Sequence, residues 1–313
     1  MNFTIDPYIQ RAARPGRVPE FRGSGQGAAA RGVGPCRRAR GHMDGTRRGR
    51  AAAPEGPRYG WRVTREPLTV PGRIVIFDYG EVISLSQSPA DRAALERLAG
   101  VSDGAGGSVD DAAGSARFWA AYHAHRDGLD QGTGGVAGYW RAVAGDIGAS
   151  WDEGRVHELW AADFRSWLSV NPDVIDLLTD LRAGGTPLAL LSNAGPDYGS
   201  YFRHGPLGDF FAACYVSGEL GLLKPHQEIY RHVLDDLGIT PVEAVFIDNR
   251  ASNVAGAQAL GITGHVFTGA GPLRAFLTSL ENLPGTGRRE APGQPGCRRV
   301  SPAVEFPGLE HHP

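Results

Sequence analysis

Arg73-Ile74-Val75-Ile76-Phe77-Asp78-Tyr79-Gly80-Glu81-Val82 is the stretch from which the fold can be read. Four consecutive apolar residues, three of them β-branched or aromatic partners of β-branched neighbours, predict a strand buried on both faces. An acid stands at its carboxyl end, followed two residues later by glycine. In an open parallel sheet ligands bind outside the carboxyl ends of the strands, so Asp78 is placed where chemistry is done. An aspartate there also suits the cap of a turn, and the strand alone does not separate the two.

Beyond residue 171 the pattern repeats. A helix is expected over 172–183, ending at Gly184-Gly185, then a strand at Pro187–Leu191 and a short strand at Cys214–Val216. A helix near 226–237, the strand Ala244–Ile247, a helix near 252–260, the strand His265–Phe267 and a helix at 271–280 complete the series. Such alternation predicts an α/β fold, a three-layer Rossmann-like parallel sheet with helices on both faces. Residues 89–168 interrupt it with helical periodicity and hold five of the six tryptophans. They are expected to form a small helical cap inserted after the first strand, with the aromatic stripe as its core rather than a ligand cage. Glycine-rich joints at 104–107 and 132–135 divide its helices.

Charge is distributed in three regimes. The whole chain balances 32 basic against 34 acidic groups, yet residues 1–72 carry 14 arginines against 5 acids while 73–283 carry 14 basic against 26 acidic groups. Residues 1–72 and 284–313 are rich in Gly, Arg and Pro with little apolar periodicity and are expected to be disordered tails, leaving 73–88 and 169–283 as the core. Gly23-Ser24-Gly25-Gln26-Gly27-Ala28 matches a dinucleotide fingerprint in letters only, because no strand precedes it and no amphipathic helix follows. The arginine clusters at 37–40 and 47–50 lack interleaved aromatics, so nucleic acid is an unfavoured partner. Met43 leaves an internal start open. Cys36, Cys214 and Cys297 are far apart without a CxxC pair, which argues against a disulfide framework or thiolate zinc site and for a reduced cytoplasmic location. No run of residues approaches the length of an apolar membrane span, and no apolar core of a secretory signal is present at the N-terminus.

Three predicted strands end in polar residues on one rim: Asp78, Ser192-Asn193 and Asp248-Asn249. Two carboxylates gathered there repel unless a cation lies between them or one is protonated, and hard oxygen ligands suit Mg²⁺. Lys224, in Gly221-Leu222-Leu223-Lys224-Pro225, is the single lysine of a chain with 31 arginines. A lysine in so arginine-biased a sequence suggests a site that wants a compact ammonium.

The order Asp78, Ser192, Lys224, Asp248, carried by FDYGEV, LLSN, LLKP and FIDNRASNVAGAQALGI, resembles the four motifs of the haloacid dehalogenase-like (HAD) hydrolase superfamily over roughly residues 73–283. Within it the chain is similar to the bacterial sugar-1-phosphate phosphatase branch with a helical cap. The resemblance implies a Mg²⁺-dependent phosphomonoester hydrolase acting on a small phosphate ester, sugar phosphates included. Asp78 would be the nucleophile that forms an aspartyl-phosphate. Asp78, the Gly80 carbonyl and Asp248 would hold the metal. Ser192, Asn193 and Lys224 would bind the phosphoryl group, Lys224 also orienting Asp78, and Asn249 and Asn253 would support the metal shell. Physical chemistry agrees, since a carboxylate approaches a phosphate dianion only when cations screen the charge.

Gly80 stands where most phosphatases of that superfamily have an aspartate serving as general acid, and Asn249 where a second aspartate is common. Expected substitutes for the proton donor are Glu81, His123, His125 and Asp127, or a leaving group that needs little protonation. A 2-haloacid-type dehalogenase using the same Asp78 without metal is the alternative enzyme reading. A non-catalytic HAD-like binding protein with a working basic tail is the alternative outside enzymology. A serine hydrolase finds no GxSxG elbow here.

Overall fold

The computed structural model describes residues 66–101 and 109–281. The glycine-rich fingerprint at 23–28, the arginine clusters, Met43, the joint at 104–107 and the tail from 284 lie outside the described residues.

Five strands form one parallel sheet: β1 (Ile74–Phe77), β2 (Leu188–Ser192), β3 (Ala213–Val216), β4 (Ala244–Asp248) and β5 (Thr263–Val266), in the order β3-β2-β1-β4-β5. The runs of β1 to β4 are buried on both faces, as strands covered by helices on either side require, whereas the edge strand β5 is partly exposed. Side chains alternate between those faces. Val75 and Phe77 pack with α6 (Pro172–Ala183) and α11 (Ala270–Glu281) through Leu177, Leu181, Leu273 and Leu277. Ile74 and Ile76 pack on the other face with α9 (Gln227–Leu237) and α10 (Ala251–Gln258) through Ile229, Val233 and Ala257. Each such fully buried Leu or Ile contributes about 2 kcal/mol of burial free energy.

Helices start where the sequence provides caps. At α1 (Pro89–Ala99), Ser88 Oγ accepts from the Asp91 N–H and the Asp91 carboxylate accepts from the Ser88 N–H, with Pro89 in the first turn. Gly100 then stops the helix at φ +73°. Asn171 caps α6 in the same way, its Oδ1 accepting from the Asp173 N–H at 3.1 Å.

Between β1 and β2 the chain builds a separate helical cluster: α1, α2 (Val109–Ala124), α3 (Arg126–Asp130), α4 (Gly135–Ile147) and α5 (Glu153–Ser166). Leu95, Phe118, Trp119, Tyr122, Trp140 and Leu159 form its core, so the aromatic stripe is packing, as expected. The chain leaves for this block and returns side by side. Leu85 N–H donates to the Ser169 carbonyl at 2.7 Å and Asn171 N–H to the Ile83 carbonyl at 2.8 Å. A second seam links it to the sheet, where Ser217 Oγ donates to the Asp130 carbonyl at 2.5 Å and Trp160 Nε1 to Asp197 Oδ2 at 2.6 Å.

Two expectations need correction. Residues 66–72 were placed with the N-terminal tail, yet Leu68 and Val70 are buried in the first core cluster and Leu68 N–H bonds to the Asp180 carbonyl. Two isolated apolar residues among Pro, Gly and Arg give no periodicity, but they suffice to cover the end of α6. The short helices α7 (Tyr198–His204) and α8 (Ser217–Leu220) escape a periodicity reading because neither is longer than two turns. Cys214 is fully buried in β3, and Cys36 and Cys297 lie outside the described residues. Among the described residues no helix is long and apolar enough to cross a membrane.

Candidate active site

Because β1, β2 and β4 run parallel as neighbours, their carboxyl ends bring Asp78, Ser192 and Asp248 to one rim. Asp78 N–H closes the β1–β4 ladder on the Ile247 carbonyl at 2.8 Å, which fixes the backbone from which the carboxylate projects. Lys224 reaches in from the loop after α8. Its Nζ lies 2.7 Å from Asp78 Oδ1, 2.7 Å from Asp248 Oδ2 and 3.0 Å from the Leu191 carbonyl. Two of these contacts are hydrogen bonds, to Asp248 and to the Leu191 carbonyl, and the contact with Asp78 is an ion pair. Lys224 is thereby held between the two carboxylates, with Asp78 paired to it as an ion.

One ammonium between two buried carboxylates leaves the cluster one negative charge in excess. Burial raises the Asp78 carboxyl to about 6; Lys224 opposes the rise, Asp248 adds to it, and the Tyr79 N–H bond at 2.8 Å opposes it. Asp248 is fully buried, its Oδ1 accepting from the Arg250 N–H at 2.8 Å and its Oδ2 from Asn253 Nδ2 at 2.9 Å as well as from Lys224. Tyr230 steadies Asn253 from behind, its hydroxyl donating to the Asn253 carbonyl at 2.7 Å.

A cavity of about 200 Å³ opens over Asp78 and is also lined by Gly80, Ser192, Asn193, Lys224 and Asn253. Asp78 Oδ2 and Ser192 Oγ accept or donate no hydrogen bond among the described residues. A β-carbon built on Gly80 would meet nothing within 4 Å, so the missing aspartate at this position is a matter of residue choice, not of space. The residues fit a divalent cation: the excess negative charge, the free Oδ2 of Asp78 and the cavity-lining Gly80 supply hard oxygen chemistry. Asp248 stands behind Asp78, not on the cavity wall.

Several of the expected site residues have hydrogen-bond partners within the protein. Asn193, expected to bind substrate, spends its amide on the Lys224 backbone, donating to the Lys224 carbonyl at 2.9 Å and accepting from the Lys224 N–H at 3.0 Å. It positions Lys224. Asn249, expected beside a metal, donates to Glu81 Oε2 at 2.8 Å. Glu81 also accepts from Ser86 Oγ and holds φ +58°, a left-handed backbone that costs a non-glycine residue about 1 kcal/mol. That pair ties the loop after β1 to the loop after β4. Of the four expected proton donors, Glu81 and His123 line the cavity. His125 instead meets Asp146 at 2.8 Å and Asp127 is exposed away from it. Burial and the nearby Arg92, Arg126 and Arg250 hold the His123 pKa below its usual value.

The sequence reading missed the opposite wall. Arg126 donates to Asp163 Oδ2 at 2.9 Å and to the Tyr122 hydroxyl at 3.1 Å, and its Nε faces Asp130 Oδ1 at 3.2 Å. Arg126 and Asp130 are four apart on one helix, a pairing visible in sequence. Nothing in sequence says that the pair turns towards Asp78.

Residues 73–261 match the family model of the haloacid dehalogenase-like hydrolases. A sesquiterpene phosphatase of Aspergillus oryzae is 32% identical over 108 residues, 33% of this chain and 55% of that one. An (S)-2-haloacid dehalogenase of a Pseudomonas species is 30% identical over 126 residues, 37% of this chain and 56% of that one. The chain spans about half the length of the curated relatives it matches. Among solved structures, an HAD-family enzyme of Bacteroides thetaiotaomicron, in complex with magnesium and inorganic phosphate, superposes with a TM-score of 0.47 and 21% identity over 62% of this chain and 93% of that one.

Proposed function

Since the chain belongs to the haloacid dehalogenase-like hydrolase family, we propose that this hydrolase cleaves small phosphate monoesters with Mg²⁺ through an aspartyl-phosphate on Asp78. The observation that carries the reading is the buried pair Asp78 and Asp248 sharing the single ammonium of Lys224. A cluster with one negative charge in excess has its charge balanced when a divalent cation is taken up.

In this reading Asp78 and the Gly80 carbonyl would hold the metal, with Asp248 balancing its charge from behind, and the metal when bound would supply charge neutralisation for a phosphate dianion. Asp78 attacks phosphorus, the P–O bond to the leaving alcohol breaks, and the phosphoryl group passes to the carboxylate. Lys224 keeps Asp78 ionised and aimed. The Ser192 hydroxyl donates to a phosphoryl oxygen. Asn193 holds Lys224 and Asn253 holds Asp248. Water then attacks phosphorus, freeing inorganic phosphate and regenerating Asp78. The leaving oxygen draws its proton from Glu81 or His123, or needs little, as a hemiacetal oxygen does. The helices over 89–166 serve as the cap that closes over the rim.

A dehalogenase reading is favoured by one observation, the absence of an acid at Gly80, because halide leaves without a proton. Phosphatase and dehalogenase relatives both match the chain. Phosphate and halide release, each measured with EDTA and with Mg²⁺ restored, separates the two. Phosphate release abolished by EDTA and recovered with Mg²⁺ is expected, and EDTA-resistant halide release would overturn the proposal.

A further inference from the structure

Among the described residues, six buried side-chain polar atoms lack a hydrogen-bond partner, and three of them belong to residues lining the cavity over Asp78: Asp130 Oδ1, Trp167 Nε1 and the Tyr198 hydroxyl. Buried polar groups are almost always paired, and an orphan costs stability. A cluster of orphans on one wall is therefore a wall designed around a missing partner.

Tyr198 is 5% exposed and its ring already packs on Phe164 and Phe202, with centroids 4.5 and 5.7 Å away. Phenylalanine would make the same contacts, so the hydroxyl is surplus to packing. Asp130 is 8% exposed. Its Oδ1 faces Arg126 Nε as an ion pair, at an angle that closes no hydrogen bond. Trp167 Nε1 lies near the Tyr122 hydroxyl but outside hydrogen-bond geometry, and that oxygen already accepts from Arg126 and donates to Asp163 at 2.6 Å. Tyr198 and Asp130 both line the one cavity over Asp78.

Charge on this wall narrows the ligand further. Arg126 is half-buried and committed to two carboxylates, Asp130 and Asp163, so the inner wall carries no unpaired cation for an acidic ligand. The remaining cation of the cavity lining outside the Asp78 cluster, Arg250, is exposed at the rim. An acceptor, a donor and a hydroxyl that is both complement an uncharged group bearing hydroxyls.

We propose that Asp130 and Tyr198 form a subsite that reads the hydroxyl groups of an uncharged, polyhydroxylated leaving alcohol, and that it discriminates against carboxylate-bearing and purely alkyl esters. The inference rests on the phosphatase reading above and adds the substrate class to it. Of the two, Tyr198 is the cleaner probe because its hydroxyl holds nothing else.

The test uses the full chain with Mg²⁺ and three matched esters: glycerol phosphate, propyl phosphate and phosphopropionate. The wild type is expected to favour glycerol phosphate in kcat/KM. Tyr198→Phe and Asp130→Asn should each lower the ratio of glycerol to propyl phosphate about tenfold, the scale of one hydrogen bond to a desolvated group. Tyr198→Phe should do so with Tm unchanged or raised, which a merely structural role would not give. A ratio that stays unchanged in both variants, or a wild type that prefers propyl phosphate or phosphopropionate, overturns the subsite. If no ester releases phosphate, it is the hydrolysis reading that fails. Calorimetric binding of the same three esters to the Asp78→Asn protein, with and without Tyr198→Phe, then decides the subsite by the same ratio.

Discussion

Replacing the nucleophile should make the metal-free protein more stable. Asp78→Asn keeps an oxygen that accepts from Lys224 Nζ and from the Tyr79 N–H, and it leaves one ammonium facing one carboxylate in place of two. Burial carries the Asp78 carboxyl from an ordinary 3.8 to about 6. The native state therefore favours the protonated form more than the unfolded chain does. The stability this confers is fully present below about pH 4 and is lost as pH rises through about 6. At pH 8, where Asp78 is ionised in both states, the loss is about 3 kcal/mol. Asparagine does not incur it. In chelator at pH 8, Asp78→Asn should exceed the wild type by up to about 3 kcal/mol, or about 6–12 °C in Tm for a folded region of this size. The gap should narrow as pH falls through 6 towards 4. Saturating Mg²⁺ should also narrow it, because a ligand bound only by the native wild type stabilises it by mass action. Urea denaturation of both proteins across that pH range in EDTA measures the effect. A variant less stable than the wild type at pH 8, or a gap that widens towards acid, would refute the charge-excess argument.

Lys224→Met removes the only counter-charge of two buried carboxylates and should cost about 3–5 kcal/mol at pH 8, read by urea denaturation; a loss under 1 kcal/mol would show that the cluster is solvated. Asn193→Ala breaks both bonds to the Lys224 backbone and should cost about 2 kcal/mol and lower kcat more than it raises KM, whereas a pure KM effect would restore its expected role as a substrate ligand. Gly80→Asp meets open space and supplies the absent acid, so kcat on alkyl phosphates should rise at least on the order of tenfold relative to p-nitrophenyl phosphate, and an unchanged ratio would mean the proton already has an efficient source.

The sheet could be read from sequence because the inner strands are short apolar runs bounded by turn residues, and parallel topology then placed Asp78, Ser192 and Asp248 on one rim without further information. Lys224 stood out only by composition. What the pattern could not supply was direction. Asn193 follows a strand end just as Ser192 does, yet its amide turns aside to the Lys224 backbone. Asp248 follows its strand as Asp78 does, yet it ends up behind the cavity wall. Arg126, Asp130 and Tyr198 lie on two short helices whose facing sides meet only in the tertiary fold, and Tyr198 carried no sequence signal at all. Leu68 and Val70 were lost in a segment whose composition pointed the other way.

The central claim, nucleophilic attack by Asp78 on phosphorus, is tested most directly by a single turnover in heavy-oxygen water followed by mass analysis of the Asp78 peptide and of the released product. Hydrolysis of an aspartyl-phosphate by water at phosphorus predicts the heavy oxygen in phosphate, none in Asp78, and homoserine in place of Asp78 when the turnover is quenched with borohydride, which direct attack by water on the ester would not give. A heavy oxygen found in the Asp78 carboxylate would mean that water attacked an alkyl ester at the carboxyl carbon, the course of a displacement at carbon, and would contradict the account.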